Sequence, residues 1–411
     1  MKTLLEPGAP KGAAVSRGRK GVGARGGCHS PGRVISVTLS AEVKPLKIAI
    51  VRTVLHRGSG QVVHIRELAR ALTDRGHRVT VFTTRAEERP PGLEVVELPA
   101  RRAKDFLPHL RGYDLVHSQY HPCLWVGGMA RKKGMPHVFT FHGFAPIRHW
   151  NSWGQRTKMV RRRLGTFFAL RLGADGFIAV SQFLARALAS RYLVPRQKIE
   201  VVYNGVDLER FSPGEGGDIR RKYHLEERKV VLYLGRLTRY KGPQFLLSAA
   251  PQVLKEVPDA HFLIAGSLRK DVLDLRGLAR QLGIEKHVTF TEFVPDEEVP
   301  QLYRTADVFC YPSLWEGFGL TPAEAMACEL PVVAFRCTAV PEVVRHGQTG
   351  LLVPPRAVGE LARALIELLT DPEKRRRIGR AGREHVAENF RWDLAAQRTE
   401  AVYQRVLEAH K

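Results

Sequence analysis

The stretch Lys229-Val-Val-Leu-Tyr-Leu-Gly-Arg-Leu-Thr-Arg-Tyr-Lys-Gly242 decides the fold. Val230–Leu234 is an unbroken apolar run, too short for a typical helix and closed by a glycine. That pattern predicts a strand buried on both faces, as in a parallel sheet covered by helices. The chain then turns at Gly235 and presents two cations, Arg236 and Lys241, directly after the strand. Open parallel sheets bind ligands at that end.

Working outward towards the C-terminus, strands are expected at His261–Gly266, Val288–Phe290, Val308–Tyr311, Pro331–Phe335 and Gly350–Val353. A helical segment, Pro372–Lys411, lacks a strand of its own. Towards the N-terminus a similar series opens at Lys47–Val51. It continues through Val79–Thr83, Val95–Leu98, Leu115–Ser118, His137–Phe141 and Gly176–Val180, with helices including Val62–Leu72 and Gln182–Tyr192 between them. Strands alternating with helices predict doubly wound α/β units. The turn-rich stretch Asn204–Pro213 joins the two series. The expected organisation is a basic tail over 1–43, disordered or an over-extended start, and a first Rossmann-like domain over 44–206. A second such domain follows over 207–394, and a helix over 395–411 crosses back to the first. The two domains face each other across a cleft.

The chain has 411 residues, 44% of them hydrophobic and 26% charged, the balance of an ordinary globular protein. No run of about eighteen apolar residues is present to span a bilayer. The five cysteines, Cys28, Cys123, Cys310, Cys328 and Cys337, show neither CxxC spacing nor a disulfide framework, which fits a cytoplasmic protein. The net charge of +24 is unevenly placed. Residues 45–206 carry 27 Lys and Arg against 10 Asp and Glu, whereas residues 207–411 carry 30 against 29. The front domain is therefore expected to face something anionic: a membrane surface, a phosphorylated acceptor or nucleic acid.

A second motif, Glu316-Gly-Phe-Gly-Leu-Thr-Pro-Ala-Glu324, follows the strand Val308–Tyr311. Two carboxylates straddle a Gly-rich turn that opens a helix. Such a turn offers backbone N–H groups and the positive end of a helix dipole to a phosphate. Glu324 is placed to accept hydrogen bonds from ribose hydroxyls, and Glu316 lies where a sugar ring would sit. Arg236 and Lys241 suit the charge of a departing diphosphate.

Gly235-Arg236 with Lys241-Gly242, Asn204-Gly205-Val206-Asp207, Ser313-Leu-Trp-Glu316-Gly-Phe-Gly and the Glu316/Glu324 pair together resemble the family-4 retaining glycosyltransferases of the GT-B fold. The resemblance spans about residues 45–400. It implies transfer of a hexose-type sugar from a nucleotide diphosphate sugar to an acceptor hydroxyl. It assigns the diphosphate to Arg236 and Lys241, the sugar to Glu316, the ribose to Glu324, and the phosphates and sugar to the backbone around Phe318, Gly319, Leu320 and Thr321. Arg57-Gly58-Ser59-Gly60-Gln61 resembles the family's Gly-rich loop, although the family carries adjacent glycines there. His142, within Phe141-His142-Gly143-Phe144, matches the histidine that touches the donor sugar. Ala265-Gly266-Ser267 stands where Gly-x-Gly is frequent; Gly266 is expected to keep the backbone close to the nucleotide.

By the same resemblance, retention proceeds without a covalent enzyme intermediate, and no catalytic base is nominated. No DxD metal motif stands in a suitable place, and two side-chain cations can replace a metal's charge, so no metal cofactor is expected. For the acceptor, a lipid-linked or envelope-polysaccharide glycan leads, with a soluble sugar or sugar phosphate as the alternative. The segment His149–Ala174, with Trp150, Trp153, Lys158, Arg161–Arg163, Phe167 and Phe168, reads either as a helix at an anionic membrane or as a helix packed on the sheet with solvated arginines. A basic nucleic-acid-binding protein and an inactive scaffold are the out-of-class readings. No nucleic-acid motif supports the former, and chemically competent residues at every donor position disfavour the latter.

Overall fold

The computed structural model describes residues 44–411 apart from Arg57, Glu88, Pro90, Arg101, 120–122, 145–153, 155–156, 158–159, 161–163, Phe168, 171–172 and 267–273. The basic tail, Cys28, Trp150, Trp153, Lys158, Arg161–Arg163 and Ser267 lie outside these residues. Pro45–Lys411 forms one unit.

Val230 and Leu232 point into one apolar cluster, whereas Val231 and Tyr233 point into another. Both faces of that strand are buried, which is why its sequence does not alternate with polar residues. Around it the second sheet assembles, entirely parallel among its paired strands. Its strands are β8 (Lys229–Leu234), β9 (Ala260–Ala265), β10 (Val288–Glu292), β11 (Val308–Tyr311), β12 (Val332–Phe335) and β13 (Gly350–Val353), in the order β10-β9-β8-β11-β12-β13.

The first sheet has the same logic. Its strands are β1 (Lys47–Val51), β2 (Arg78–Thr83), β3 (Glu94–Glu97), β4 (Leu115–Ser118), β5 (His137–Phe141), β6 (Gly176–Ala179) and β7 (Ile199–Val201), in the order β3-β2-β1-β4-β5-β6-β7, again parallel. In each sheet the chain winds outward from a central strand and then restarts on its other side. The crevice beyond β1/β4 and the one beyond β8/β11 are therefore the two topological switch points where such folds hold ligands. The α/β architecture of two Rossmann-like units is the one expected from the strand pattern. β7 was not anticipated.

Pro372–Lys411 is helical, as expected, and is divided into two helices, Pro372–Asn389 and Trp392–Glu408. Between them Arg391 pairs as a β-bridge with Val206, and the Val206 N–H donates to the Phe390 carbonyl at 2.8 Å. The break therefore comes from a tertiary contact, since neither Gly nor Pro stands there. The last helix packs against the first sheet. Tyr403 Oη lies 2.6 Å from His117 Nδ1 at the end of β4. Glu400, 2% exposed, is paired with His77 at 2.8 Å and with Arg75. A buried carboxylate of this kind requires such partners.

Candidate functional site

At the mouth of the second sheet Gly266 follows β9 with φ +147°, and a Cβ there would fall 2.0 Å from the Gly235 carbonyl oxygen. Only glycine lets these two turns touch. The turn after Gly235 carries Lys241 back over the sheet. Lys241 Nζ donates to both carboxylate oxygens of Glu316, at 2.8 and 3.0 Å, and sits 5.7 Å from the ring centroid of Tyr311. Glu316 is 7% exposed, and its backbone N–H is held by Thr338 Oγ1 at 2.8 Å. Arg236 is exposed and donates instead to the Tyr240 hydroxyl. The structure thus brings Lys241 to Glu316, the glutamate expected on the sugar side, and turns Arg236 towards Tyr240 instead.

Gly319, in a left-handed conformation, caps the helix Leu320–Ala327. The first-turn amides of Leu320 and Thr321 have no intrahelical acceptor and supply the donors expected for an anion. Phe318 anchors the turn, its ring edge-on to Phe390 with centroids 5.4 Å apart. One turn into the helix, Glu324 accepts from the Tyr303 hydroxyl at 2.9 Å. Burial pushes its carboxyl up to about 7, against the opposing pull of Tyr303, Arg210 and Arg66.

The first domain closes on this face. Gly60 lies against Leu320, where a Cβ would be 3.5 Å from Leu320 Cδ1, and Gly58 lies against the Phe293 ring. Ser59 is the N-cap residue of the helix Gly60–Asp74 without a side-chain cap bond. His142, just after β5, has its carbonyl oxygen 2.6 Å from where a Cβ on Gly317 would stand. Gly317 must therefore be glycine for the two domains to meet as they do. The His142 ring bonds Gln119 Oε1 through Nε2 at 3.0 Å and lies edge-on to His64 with centroids 4.7 Å apart. Burial holds the His142 imidazole well below the usual histidine range, helped by His64, Arg52 and His117. It is neutral at physiological pH.

Several partners were not anticipated from sequence. Glu342 of the second domain accepts from the backbone N–H of Gln182 and of Phe183 at 2.7 Å each, capping the helix Gln182–Arg191 of the first, and also from Tyr203 Oη at 3.1 Å. Arg66 reaches Asp296 across the cleft at 2.9 Å, and His64 Nδ1 meets Asn204 at 2.9 Å. The sequence signal for Gln119 is no more than a polar residue directly after the strand Leu-Val-His-Ser, which itself ends on polar residues. Among the described residues no group of three or more His, Cys, Asp or Glu could hold a metal ion, and Cys123, Cys310, Cys328 and Cys337 are free.

Residues 58–210 match the family model described as Glycosyltransferase Family 4, and residues 217–385 that described as Glycosyl transferases group 1. The D-inositol 3-phosphate glycosyltransferase of Kribbella flavida is 32% identical over 387 residues, covering 85% of this chain and 91% of that protein. The chain belongs to the group 1 glycosyltransferases. The D-inositol 3-phosphate glycosyltransferase of Streptomyces avermitilis is 33% identical over 392 residues, covering 86% of this glycosyltransferase and 84% of its own length. Among solved structures, sucrose-phosphate synthase from Thermosynechococcus elongatus superposes with a TM-score of 0.76 at 27% identity, covering 89% of this chain and all of its own. Anabaena HepE, solved with UDP and glucose, superposes with a TM-score of 0.75 at 22% identity over 88% of this chain and 100% of its own, a likeness of fold. The architecture is GT-B.

Proposed function

We propose that this glycosyltransferase moves a hexose-type sugar, with retention of anomeric configuration, from a nucleoside diphosphate sugar to a hydroxyl of a small soluble phosphorylated polyol or sugar. One observation supports the transfer reading: the His142 carbonyl of the first domain meets Gly317 of the second, the residue next to Glu316 of the Lys241–Glu316 pair. In this reading the sugar lies between His142 and that pair, and the nucleotide runs along the helix Leu320–Ala327, with its ribose on Glu324. Arg236, Lys241 and the helix N-terminus meet the negative charge that builds on the diphosphate as the glycosidic bond breaks. The acceptor hydroxyl attacks the face that the diphosphate leaves and gives its proton to a diphosphate oxygen. No covalent enzyme intermediate forms, and the two side-chain cations serve in place of a metal.

The lipid-linked acceptor that led on sequence grounds gives way to the soluble one. The relatives named for D-inositol 3-phosphate span nearly the whole folded chain, and a phosphorylated acceptor equally suits a front domain with an excess of 17 positive charges. The test is a thermal-shift screen of UDP-, GDP- and ADP-sugars, then mass analysis of products formed with inositol 3-phosphate, unphosphorylated inositol and a lipid-linked glycan. Glycosylation of the phosphorylated polyol supports the reading; transfer to the lipid-linked glycan alone sinks it.

Peripheral contact with an anionic membrane is a second reading. It rests on the same charge excess and on Val160 and Leu164, which are 44% and 58% exposed. Basic residues near such a surface contribute about 1 kcal/mol each. Protein lacking residues 1–43 should then sediment with anionic liposomes at low salt, and less so after Arg161, Arg162 and Arg163 are changed to Glu. No sedimentation at low salt ends that reading.

A further inference from the structure

Behind His142 a chain of polar side chains runs through the first domain to the C-terminal helix. His142 Nε2 lies 3.0 Å from Gln119 Oε1, and Gln119 Nε2 lies 3.1 Å from His117 Nε2 and 3.5 Å from His117 Nδ1. His117 is fully buried and is gripped at both nitrogens by shorter bonds, 2.6 Å to Thr140 Oγ1 and 2.6 Å to Tyr403 Oη. Those two hydroxyls use both in-plane positions of the imidazole. The near-equal distances from Gln119 Nε2 to the two ring nitrogens therefore put the amide nitrogen over the ring face rather than in line with either.

A ring face is electron-rich and receives an N–H, whereas a carbonyl oxygen there is repelled. This orients the Gln119 amide: its NH2 faces His117 and its oxygen faces His142. An amide oxygen only accepts, so His142 must carry its proton on Nε2.

We propose that Gln119 is a positioning residue for His142: it accepts the Nε2 proton of that imidazole and leaves Nδ1 bare, as the ring nitrogen that accepts a hydrogen bond from a sugar hydroxyl. Its use in transfer rests on the function proposed above. The groups facing His142 are His64 from the helix Gly60–Asp74, Arg52 after β1 and His117 at the end of β4. Two of these are imidazoles, and Arg52 brings a positive charge, so nothing opposes the neutral ring. The Tyr403 hydroxyl makes the C-terminal helix the far end of this support.

The tautomer is read without substrate, from long-range ¹H–¹⁵N correlations on protein labelled with ¹⁵N-histidine. The His142 resonance is assigned by its loss in His142→Gln. The parent should show the Nε2–H form. Gln119→Leu should lose that preference, and kcat should fall on the order of tenfold to a hundredfold, as for a misplaced reacting partner, with the donor KM little changed. Gln119→Glu still accepts the proton and keeps the shape, so it restores the tautomer if Gln119→Leu folds poorly. Its carboxylate also favours the imidazolium, and the acid limb of the kcat profile should move to higher pH. An Nδ1–H tautomer in the parent overturns the proposal. So does an unchanged kcat in a folded Gln119→Leu that has lost the tautomer. If the parent binds no nucleotide sugar, the proposed function fails instead, whatever the tautomer shows.

Discussion

Lys241 Nζ donates to both carboxylate oxygens of Glu316, at 2.8 and 3.0 Å, so two residues 75 positions apart form one unit at the floor of the cleft. Because the pair is largely shielded from water, its charges are worth more than on the surface, and removing one strands the other. Lys241→Ala and Glu316→Ala should each lower kcat/KM on the order of 100-fold or more, as when a preorganised charge-stabilising group is removed. The double variant should be little worse than the poorer single one, since contacting residues are not additive. Steady-state kinetics with circular dichroism as the fold control checks this; near-parental turnover in either single variant removes that residue from the site.

Glu324 supplies a pH signature. Its folded pKa, raised to about 7 by burial, lies above the ordinary carboxylate value of 4.5. Between these values the folded state holds a proton that the unfolded state has lost, so stability falls as pH rises through that window. Glu324→Gln should therefore melt higher than the parent at pH 8, with the difference vanishing towards pH 4.5. The same variant should bind donor more weakly at pH 8, where the parental carboxylate accepts from the ribose. A melting difference independent of pH would show that the carboxyl does not titrate in this range.

Metal removal tests how the diphosphate is neutralised. With Arg236 and Lys241 as the cations, transfer should persist at parental rate after exhaustive EDTA treatment. Activity that disappears with chelator and returns with Mg²⁺ or Mn²⁺ would overturn the metal-free reading.

The strands were legible where both faces of the sheet are covered. β8 shows why: Val230 and Leu232 enter one cluster and Val231 and Tyr233 another, so an apolar run is the only sequence that fits. β7, Ile-Glu-Val at the sheet edge and half-buried, has no such run and was missed. The break at Phe390–Arg391 lies just ahead of the boundary expected at 394/395, because a bridge to Val206 sets it and periodicity does not encode that contact. At the site, Lys241, Glu316 and Glu324 were legible as residue types after strands. Their partners were not. The pairing of Lys241 with Glu316, the turn of Arg236 towards Tyr240 and the reach of Glu342 to Gln182 and Phe183 all join distant segments or rotamers that periodicity does not encode.

The proposed reaction is retaining transfer from a nucleoside diphosphate sugar to a soluble phosphorylated acceptor. It is tested most directly by ¹H NMR of the anomeric proton during reaction of inositol 3-phosphate with the α-linked nucleotide sugar that most stabilises the protein. An α-linked product, appearing from the first turnover together with one nucleoside diphosphate per sugar, is the predicted result. A β-linked product, or nucleoside diphosphate released without glycosylated polyol, would contradict it.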